Sequence, residues 1–442
     1  MALVERGGPR LWAPLLALAV IVPRLAFFAL LGGRLPMPPR DQGFYIRLAG
    51  SIVEGEGLSF SPDETLMKYR SAPDNILSEY WGGTENLVFG IASAGEPTAA
   101  VEPGYPLLLA LTFTLLGPVS GGVFLLNTLF FLAGAFAVRL MVARRWGERT
   151  ANLAGFLWAF YPPFVYYTAY AMTEAVHISL FAVVLGMVDR AEERPWWPAA
   201  AGAVMGVFCL VRATALLILP FLCGWVLWRV WRSLGVRPAL WRTALMAGAF
   251  MMMMAPWMAR NAYSMGAPVL LPTKGSINLW MRNNPKALEL EGIGLPEWVE
   301  ESIVNRELLE YPDLPPEAGE LARSEALGDR AMDFALSNPV LMAWLIPFRL
   351  GAFMDPSPSG GVAGMAQLLL FGGLLLLGSA GLYLHRRTRT AQLMALCFTA
   401  YALVHSLAHG GVRYRLPVET VMIVGTALLA SRLLWGPGRE SP

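Results

Sequence analysis

Asp41 is the carboxylate whose setting points first to chemistry. It opens the stretch Asp41-Gln-Gly-Phe-Tyr-Ile-Arg-Leu-Ala-Gly-Ser-Ile-Val-Glu-Gly, ten residues beyond an apolar run over 11–31. Phe44, Leu48 and Ile52, with Tyr45 and Ala49, recur at helical spacing, so the stretch reads as an amphipathic helix lying on a membrane. Near its N-terminus a carboxylate either caps the helix or is held at the membrane surface for use in a reaction. Sulfur and imidazole groups offer less. Cys209, Cys223 and Cys397 all lie inside apolar runs without a CxxC spacing and read as small core residues. Of His177, His385, His405 and His409, only the His405/His409 pair has helical i, i+4 spacing, and no acid stands near it to complete a metal site.

The elements that must position these groups belong to a membrane protein. The chain has 442 residues, 55% hydrophobic and 15% charged, with a mean hydropathy of +0.49. Soluble domains carry roughly 25% charged residues. Apolar runs recur to the C-terminus, and several approach the roughly 20 residues that cross a hydrocarbon core of about 30 Å. A soluble enzyme, a disordered chain and a partner of nucleic acid are thereby excluded. All but Lys68, Lys274 and Lys286 of the 34 basic residues are arginines, and their placement orients the chain by the positive-inside rule. Arg6 and Arg10 put the N-terminus inside, and run 11–31 reads as an uncleaved anchor.

The polar stretch that follows holds one apolar island, 105–116, whose twelve residues would make a helix of about 18 Å, too short to span. Read as re-entrant or interfacial, it leaves crossings at 119–142, 151–172, 175–188, 196–211, 213–231 and 244–258. The tight pair 196–211 and 213–231 turns at Arg212. Run 341–353, which carries Arg349, reads as interfacial, and crossings at 362–384, 393–408 and 418–434 follow. Ten spans result, with both termini cytoplasmic. The acids agree: external segments 32–103 and 260–339 hold 10 and 13 Asp or Glu against 5 and 7 Lys or Arg. Arg24, Arg139, His177 and His405 fall within or near spans, with Arg24 and Arg139 close enough to polar regions to snorkel. Residues 251–254, four methionines, read as flexible apolar fill. No internal repeat or paired broken helices stand in corresponding halves, which weakens a secondary-transporter reading.

A series of short motifs runs in order along nearly the whole chain. Asp41 is followed by Tyr45, Ala49, Gly55 and Gly57, then Pro103-Gly-Tyr-Pro-Leu-Leu-Leu-Ala. Arg144-Arg-Trp-Gly, Tyr161-Pro-Pro with Glu174 beyond it, and Arg212-Ala-Thr before Pro220 come next. Arg260-Asn-Ala-Tyr, Gly266-Ala-Pro, Gly275-Ser-Ile-Asn-Leu-Trp-Met-Arg-Asn-Asn-Pro-Lys-Ala and Arg413-Tyr-Arg-Leu-Pro complete the series. Taken together they resemble bacterial members of the dolichyl-phosphate-mannose protein mannosyltransferase family, to which the aminoarabinose transferase of lipid A is related.

The resemblance implies an all-α integral membrane protein of the C-type glycosyltransferase (GT-C) fold, with about ten spans and interfacial helices in the external loops. Three parts are expected: a membrane module over 1–259 whose first external loop, 32–118, is catalytic; a second external region with an interfacial helix over 260–361; and C-terminal membrane helices over 362–442. It further implies an inverting transfer of a sugar from a polyprenyl phosphate to an acceptor hydroxyl outside the cytoplasm. The acceptor, whether lipid, glycan or protein, is left open, as are the sugar and the carrier length. The position matching Asp41 is the family's general base. A phosphodiester leaving group needs no general acid, so one carboxylate suffices, while cations must meet the charge developing on phosphate.

Arg260, Arg282, Arg413 and Arg415 are the implied cations, with Lys274 behind them; each has the alternative of snorkelling or pairing with loop acids. Tyr45, Glu102, Tyr105 and Asn283 are the other expected substrate contacts. Glu174, after Tyr166, Tyr167 and Tyr170, orients the acceptor, shares a divalent cation with Asp41, or ends a helix. No cofactor is required, and the acids admit a divalent cation. Residues 58–100, with Tyr69, Tyr80 and Trp81, are longer than the family pattern and would form a lid over donor or acceptor, or a merely structural one. The competing readings are a transporter or flippase of lipid-linked sugars and a non-catalytic lipid-binding relative.

Overall fold

The computed structural model describes residues 11–36, 40–60, 91–290, 294–315, 317–357, 361–408 and 411–436. The expected lid tyrosines Tyr69 and Tyr80, with Trp81, and His409 of the histidine pair lie outside these. The described chain is helical, with two isolated bridges, Ser59 to Pro97 and Phe60 to Ala94, in place of strands.

Helix α1 is Trp12–Leu30, α2 Arg40–Val53, α3 Gly104–Leu116 and α4 Ser120–Phe160; α5 Glu174–Val188, α6 Trp196–Val211, α7 Thr214–Leu234 and α8 Val236–Met265 follow. Beyond them come α9 Lys274–Arg282, α10 Glu320–Ser337, α11 Pro339–Met354, α12 Gly361–Gln367, α13 Gly373–Leu384, α14 Arg389–Ala408 and α15 Val412–Trp435. A helix falls on every run expected to cross. Among the described residues six segments are long and apolar enough by themselves: α1, α4, α7, Gly364–Leu384, α14 and α15. The 15-residue α5 and 16-residue α6 are shorter, and α10 with α11 forms one bent pair at 99°.

Three differences from the expected elements have local causes. Runs 119–142 and 151–172 share the 41-residue α4, which breaks where Gly147 takes φ 83°, a left-handed angle that favours glycine. Its second half stops at Phe160 rather than at 172, because Tyr161 precedes Pro162 and Pro163: a residue before proline is driven out of the helical region, and proline brings no N–H. Run 362–384 becomes α12 and α13 joined by a π-turn, Leu368–Gly372.

The amphipathic face of α2 meets protein rather than lipid. Tyr45, Ile46, Leu48 and Ala49 are buried against Phe60, Tyr105, Leu109 and Phe113, so the polar segment after α1 carries its own small core. Each large side chain buried there contributes about 1.5–3 kcal/mol. Arg24 likewise does not snorkel. It is fully buried, donates to the carbonyls of Val20 (2.8 Å) and Ala159 (2.9 Å), and lies over the Phe131 ring. Arg139 pairs with Glu148 and donates to Asn152 Oδ1 at 2.9 Å. Cys209 and Cys397 are buried and all three thiols are free.

Small residues let helices touch where lipid gives no hydrophobic drive between them. α13 and α15 pack backbone to backbone: a Cβ on Gly381 would overlap the Gly425 carbonyl, and one on Gly378 would stand 2.6 Å from the Met422 carbonyl oxygen. Gly381→Val is therefore expected to cost about 1–3 kcal/mol or more, read as a lowered Tm of the purified protein in detergent. An unchanged Tm would contradict this packing.

Candidate active site

Four segments far apart in the chain bring their charges together. Asp41 sits in the first turn of α2, where a negative charge favours the helix. Arg413, the second residue of α15, donates from Nη1 to Asp41 Oδ2 at 2.8 Å and from Nε to Glu174 Oε1. Glu174 opens α5 and is buried, its Oε2 without a hydrogen-bond partner. The same Oε1 accepts from Arg212 Nη1 at 3.0 Å, and that nitrogen also reaches Thr173 Oγ1 at 3.2 Å. Arg212 lies between α6 and α7, its Cζ 4.8 Å from the centre of the Tyr414 ring.

A second pair adjoins the first through the backbone. Lys274 Nζ donates to Glu102 Oε2 at 2.7 Å, and the amide of Ala213, next to Arg212, donates to Glu102 Oε1 at 3.0 Å. Lys274 Nζ is 5.8 Å from the centre of the Tyr45 ring, which meets Tyr105 edge-on at 5.5 Å. Tyr105 donates to Asn127 Oδ1 at 3.2 Å, and Asn127 Nδ2 donates to the carbonyls of Thr168 and Tyr170. Lys274 is placed by a clasp between the segment before α3 and the segment from Thr273 into α10. Glu320 accepts from Thr98 Oγ1, the Ala99 amide and Thr273 Oγ1 at 2.6–2.9 Å, and the Thr273 amide donates to the Ala99 carbonyl.

Charge in this site is balanced: Asp41, Glu102 and Glu174 face Arg212, Lys274 and Arg413. For Asp41, burial pushes the carboxyl up, but Arg413, helped by Lys274 and Arg212, more than reverses it, leaving it below the ordinary range. Burial raises Glu102 too, and Lys274 overturns it, so Glu102 is also lowered; Lys274 is raised by Glu102 against its own desolvation. Both shifts favour the charged pair. Its stabilisation is present above the ordinary Glu value of 4.5 and is lost as pH falls through the lowered one. It is present below the ordinary Lys value of 10.5 and is lost as pH rises through the raised one. Glu102→Gln is thus expected to lower Tm above pH 4.5, since it leaves the mostly buried Lys274 without its partner at a cost of about 3 kcal/mol, and the loss is expected to shrink as pH falls through the lowered Glu102 value. A Tm difference that stayed the same through that acid range would overturn this assignment.

The remaining expected contacts stand outside this charge cluster. Arg260 donates to the carbonyls of Thr98 (2.9 Å) and Leu58 (2.7 Å), as a strut for the segment between α2 and α3. Asn283 Oδ1 and the Arg282 carbonyl both accept from Arg349, which ties the end of α9 to α11. Arg415 is inside α15, buried at 3% exposure; it pairs with Glu419 at 2.8 Å and donates to the carbonyls of Phe353 and Asp355. The sequence shows Arg212 only as a turn and a motif position, and it does not single out Glu320 or Glu419. Arg212 alone carried a signal, as a charge at the turn between two apolar runs. Where a shared divalent cation was one alternative for Asp41 and Glu174, the Arg413 guanidinium bridges the two acids. Among the described residues no cluster of three His, Cys, Asp or Glu forms a metal site.

A cavity of about 440 Å³ opens beside Arg413, lined by Arg415, Glu419, Tyr161, Tyr166 and Tyr167, with Pro162, Pro163, Leu370, Phe371 and Leu416. It shares Tyr161, Pro162 and Leu370 with a second space of about 390 Å³ walled by Phe156, Leu157, Phe160, Leu369, Leu374 and Leu377. Together they lead from a cationic end to an apolar one along the π-turn. A third space of about 500 Å³, between Pro220, Phe221, Trp225, Trp228 and Leu396, is apolar and lies apart from these groups.

No protein-family model matches the chain, and no curated protein matches it. Solved structures do. The oligosaccharyltransferase AglB from Archaeoglobus fulgidus, in complex with an inhibitory peptide and a dolichol-phosphate, is similar at 14% identity and TM-score 0.53, over 89% of this chain and 46% of that one. The apo form of the Archaeoglobus fulgidus oligosaccharyltransferase is similar at 13% identity and TM-score 0.54, over 97% and 52%. ArnT from Cupriavidus metallidurans bound to undecaprenyl phosphate gives 16% identity and TM-score 0.42, over 94% and 78%. The chain spans about half the length of the oligosaccharyltransferases it matches. Their likeness gives it the fold of that class, the all-α GT-C membrane architecture that the sequence resemblance implied.

Proposed function

We propose that the protein is an inverting glycosyltransferase that moves a sugar from a polyprenyl-phosphate donor to an acceptor hydroxyl on the extracytoplasmic side of the membrane. One observation carries this reading: a part-exposed carboxylate, Asp41, is joined through Arg413 to a cavity that runs from arginines to an apolar wall. A lipid-borne phosphate needs that sequence of surfaces, and the similar archaeal enzyme is seen with a dolichol-phosphate. The acceptor oxygen attacks the anomeric carbon, whose bond to the phosphate oxygen breaks with its electron pair. The acceptor proton passes to Asp41, and polyprenyl phosphate leaves. Arg413, with Arg415 beside the cavity, meets the charge that grows on the phosphate.

Mass spectrometry of the protein purified in mild detergent is expected to reveal a retained polyprenyl phosphate, lost in Arg413→Gln. Retention of the same lipid by Arg413→Gln would move the phosphate elsewhere. For sidedness, a reporter fused after Gly147 is expected to read cytoplasmic and reporters at Ser93 and Leu314 external. If Gly147 read external, α3 would be a true span and the orientation would reverse from there on.

A further inference from the structure

Two acids hold one guanidinium, and they differ in burial. The Glu174 side chain is 2% exposed and that of Asp41 45%, yet Arg413 gives Nε to the first and Nη1 to the second. Releasing Glu174 would leave a charge sealed in protein with Arg212 as its remaining cation, whereas releasing Asp41 returns a part-exposed carboxylate to water. Arg212, on Glu174 at 3.0 Å and over the Tyr414 ring, keeps the buried acid in place. An anion that reaches Arg413 from the cavity it lines therefore displaces Asp41 and not Glu174.

We propose, on the reading that a lipid-borne phosphate binds at Arg413, that Arg413 serves Asp41 and the donor phosphate in turn. In the empty site its Nη1 edge holds Asp41. When the donor arrives that edge passes to the phosphate while Nε stays on Glu174, and the released carboxylate becomes free to take the acceptor proton. The exchange keeps the guanidinium paired throughout and needs no second cation. It also couples the base to its substrate: without donor, Asp41 is held by a cation that makes it a weaker base, and with donor that hold is removed.

The test is the affinity of the full-length protein in lipid nanodiscs for undecaprenyl phosphate, at fixed pH and salt. Asp41→Asn removes the competing charge and is expected to tighten binding about two- to fivefold, an effect no structural role for Asp41 predicts. Arg413→Gln is expected to weaken it at least about tenfold. If Asp41→Asn left affinity unchanged or weaker while Arg413→Gln lowered it, the exchange would be overturned and the phosphate would stay at Arg413. If Arg413→Gln changed nothing, both the exchange and the donor site would fall. The Asp41 arm stands even where Arg413→Gln folds poorly, since Asp41 is half in water.

Discussion

Asp41→Asn is expected to slow sugar transfer by about 10²–10⁴-fold in a protein that still folds and still binds polyprenyl phosphate. The replacement keeps the size and one acceptor oxygen, and as a helix-terminal group Asn is nearly equivalent to Asp. Its pair with Arg413 is part-exposed, so losing it costs at most about 1 kcal/mol. Stability and turnover should thus separate widely. The lowered titration of Asp41 sets a further expectation: the acid limb of kcat/KM, which reports the free enzyme, falls below the ordinary value of 3.8. Near-normal turnover in Asp41→Asn would reduce Asp41 to a helix-terminal acid and return Glu174 and Glu102 to consideration.

Glu174→Gln should act in the opposite pattern, mainly through stability. Gln keeps an oxygen for Arg212 and Arg413 but not the charge, and the side chains of these arginines are only 12% and 25% exposed. Breaking a buried pair by removing one partner costs about 3–5 kcal/mol, a large fraction of what holds a domain together. A marked fall in Tm in detergent is expected, with transfer lost alongside it because Arg413 loses its anchor. Adding Arg212→Gln should restore part of the Tm, since it removes one of the uncompensated charges. A Glu174→Gln protein of wild-type Tm but no activity would instead place Glu174 on the acceptor.

The two residues show why the site was only partly legible. Asp41 could be found because its surroundings are local: an apolar run, a ten-residue approach and a helical period announce a carboxylate at the membrane surface. Glu174 could be noticed but not assigned. Its partners Arg212 and Arg413 lie 38 and 239 positions away, and no periodicity reports a contact made by folding. Arg260 and Asn283 could be noticed without their partners for a related reason. An outer-face polar residue looks the same in sequence whether it waits for a phosphate or satisfies backbone carbonyls, as Arg260 does at Leu58 and Thr98. The apolar helices were legible from composition, which a bilayer enforces along each segment, whereas the face of α2 was read as lipid-bound because amphipathicity does not say what covers it. Burial against α3 decided that.

The central claim, that the donor phosphate is held at Arg413 beside Asp41, is tested most directly by photo-crosslinking. A polyprenyl phosphate with a diazirine in its first isoprene unit is irradiated on the protein in nanodiscs, and labelled peptides are identified by mass spectrometry. The account predicts label on Tyr166, Tyr167, Leu370 or Val412, around the cavity at the start of α15, abolished by excess undecaprenyl phosphate. Competed label confined to Phe221, Trp225 and Trp228, at the separate apolar space, would contradict it.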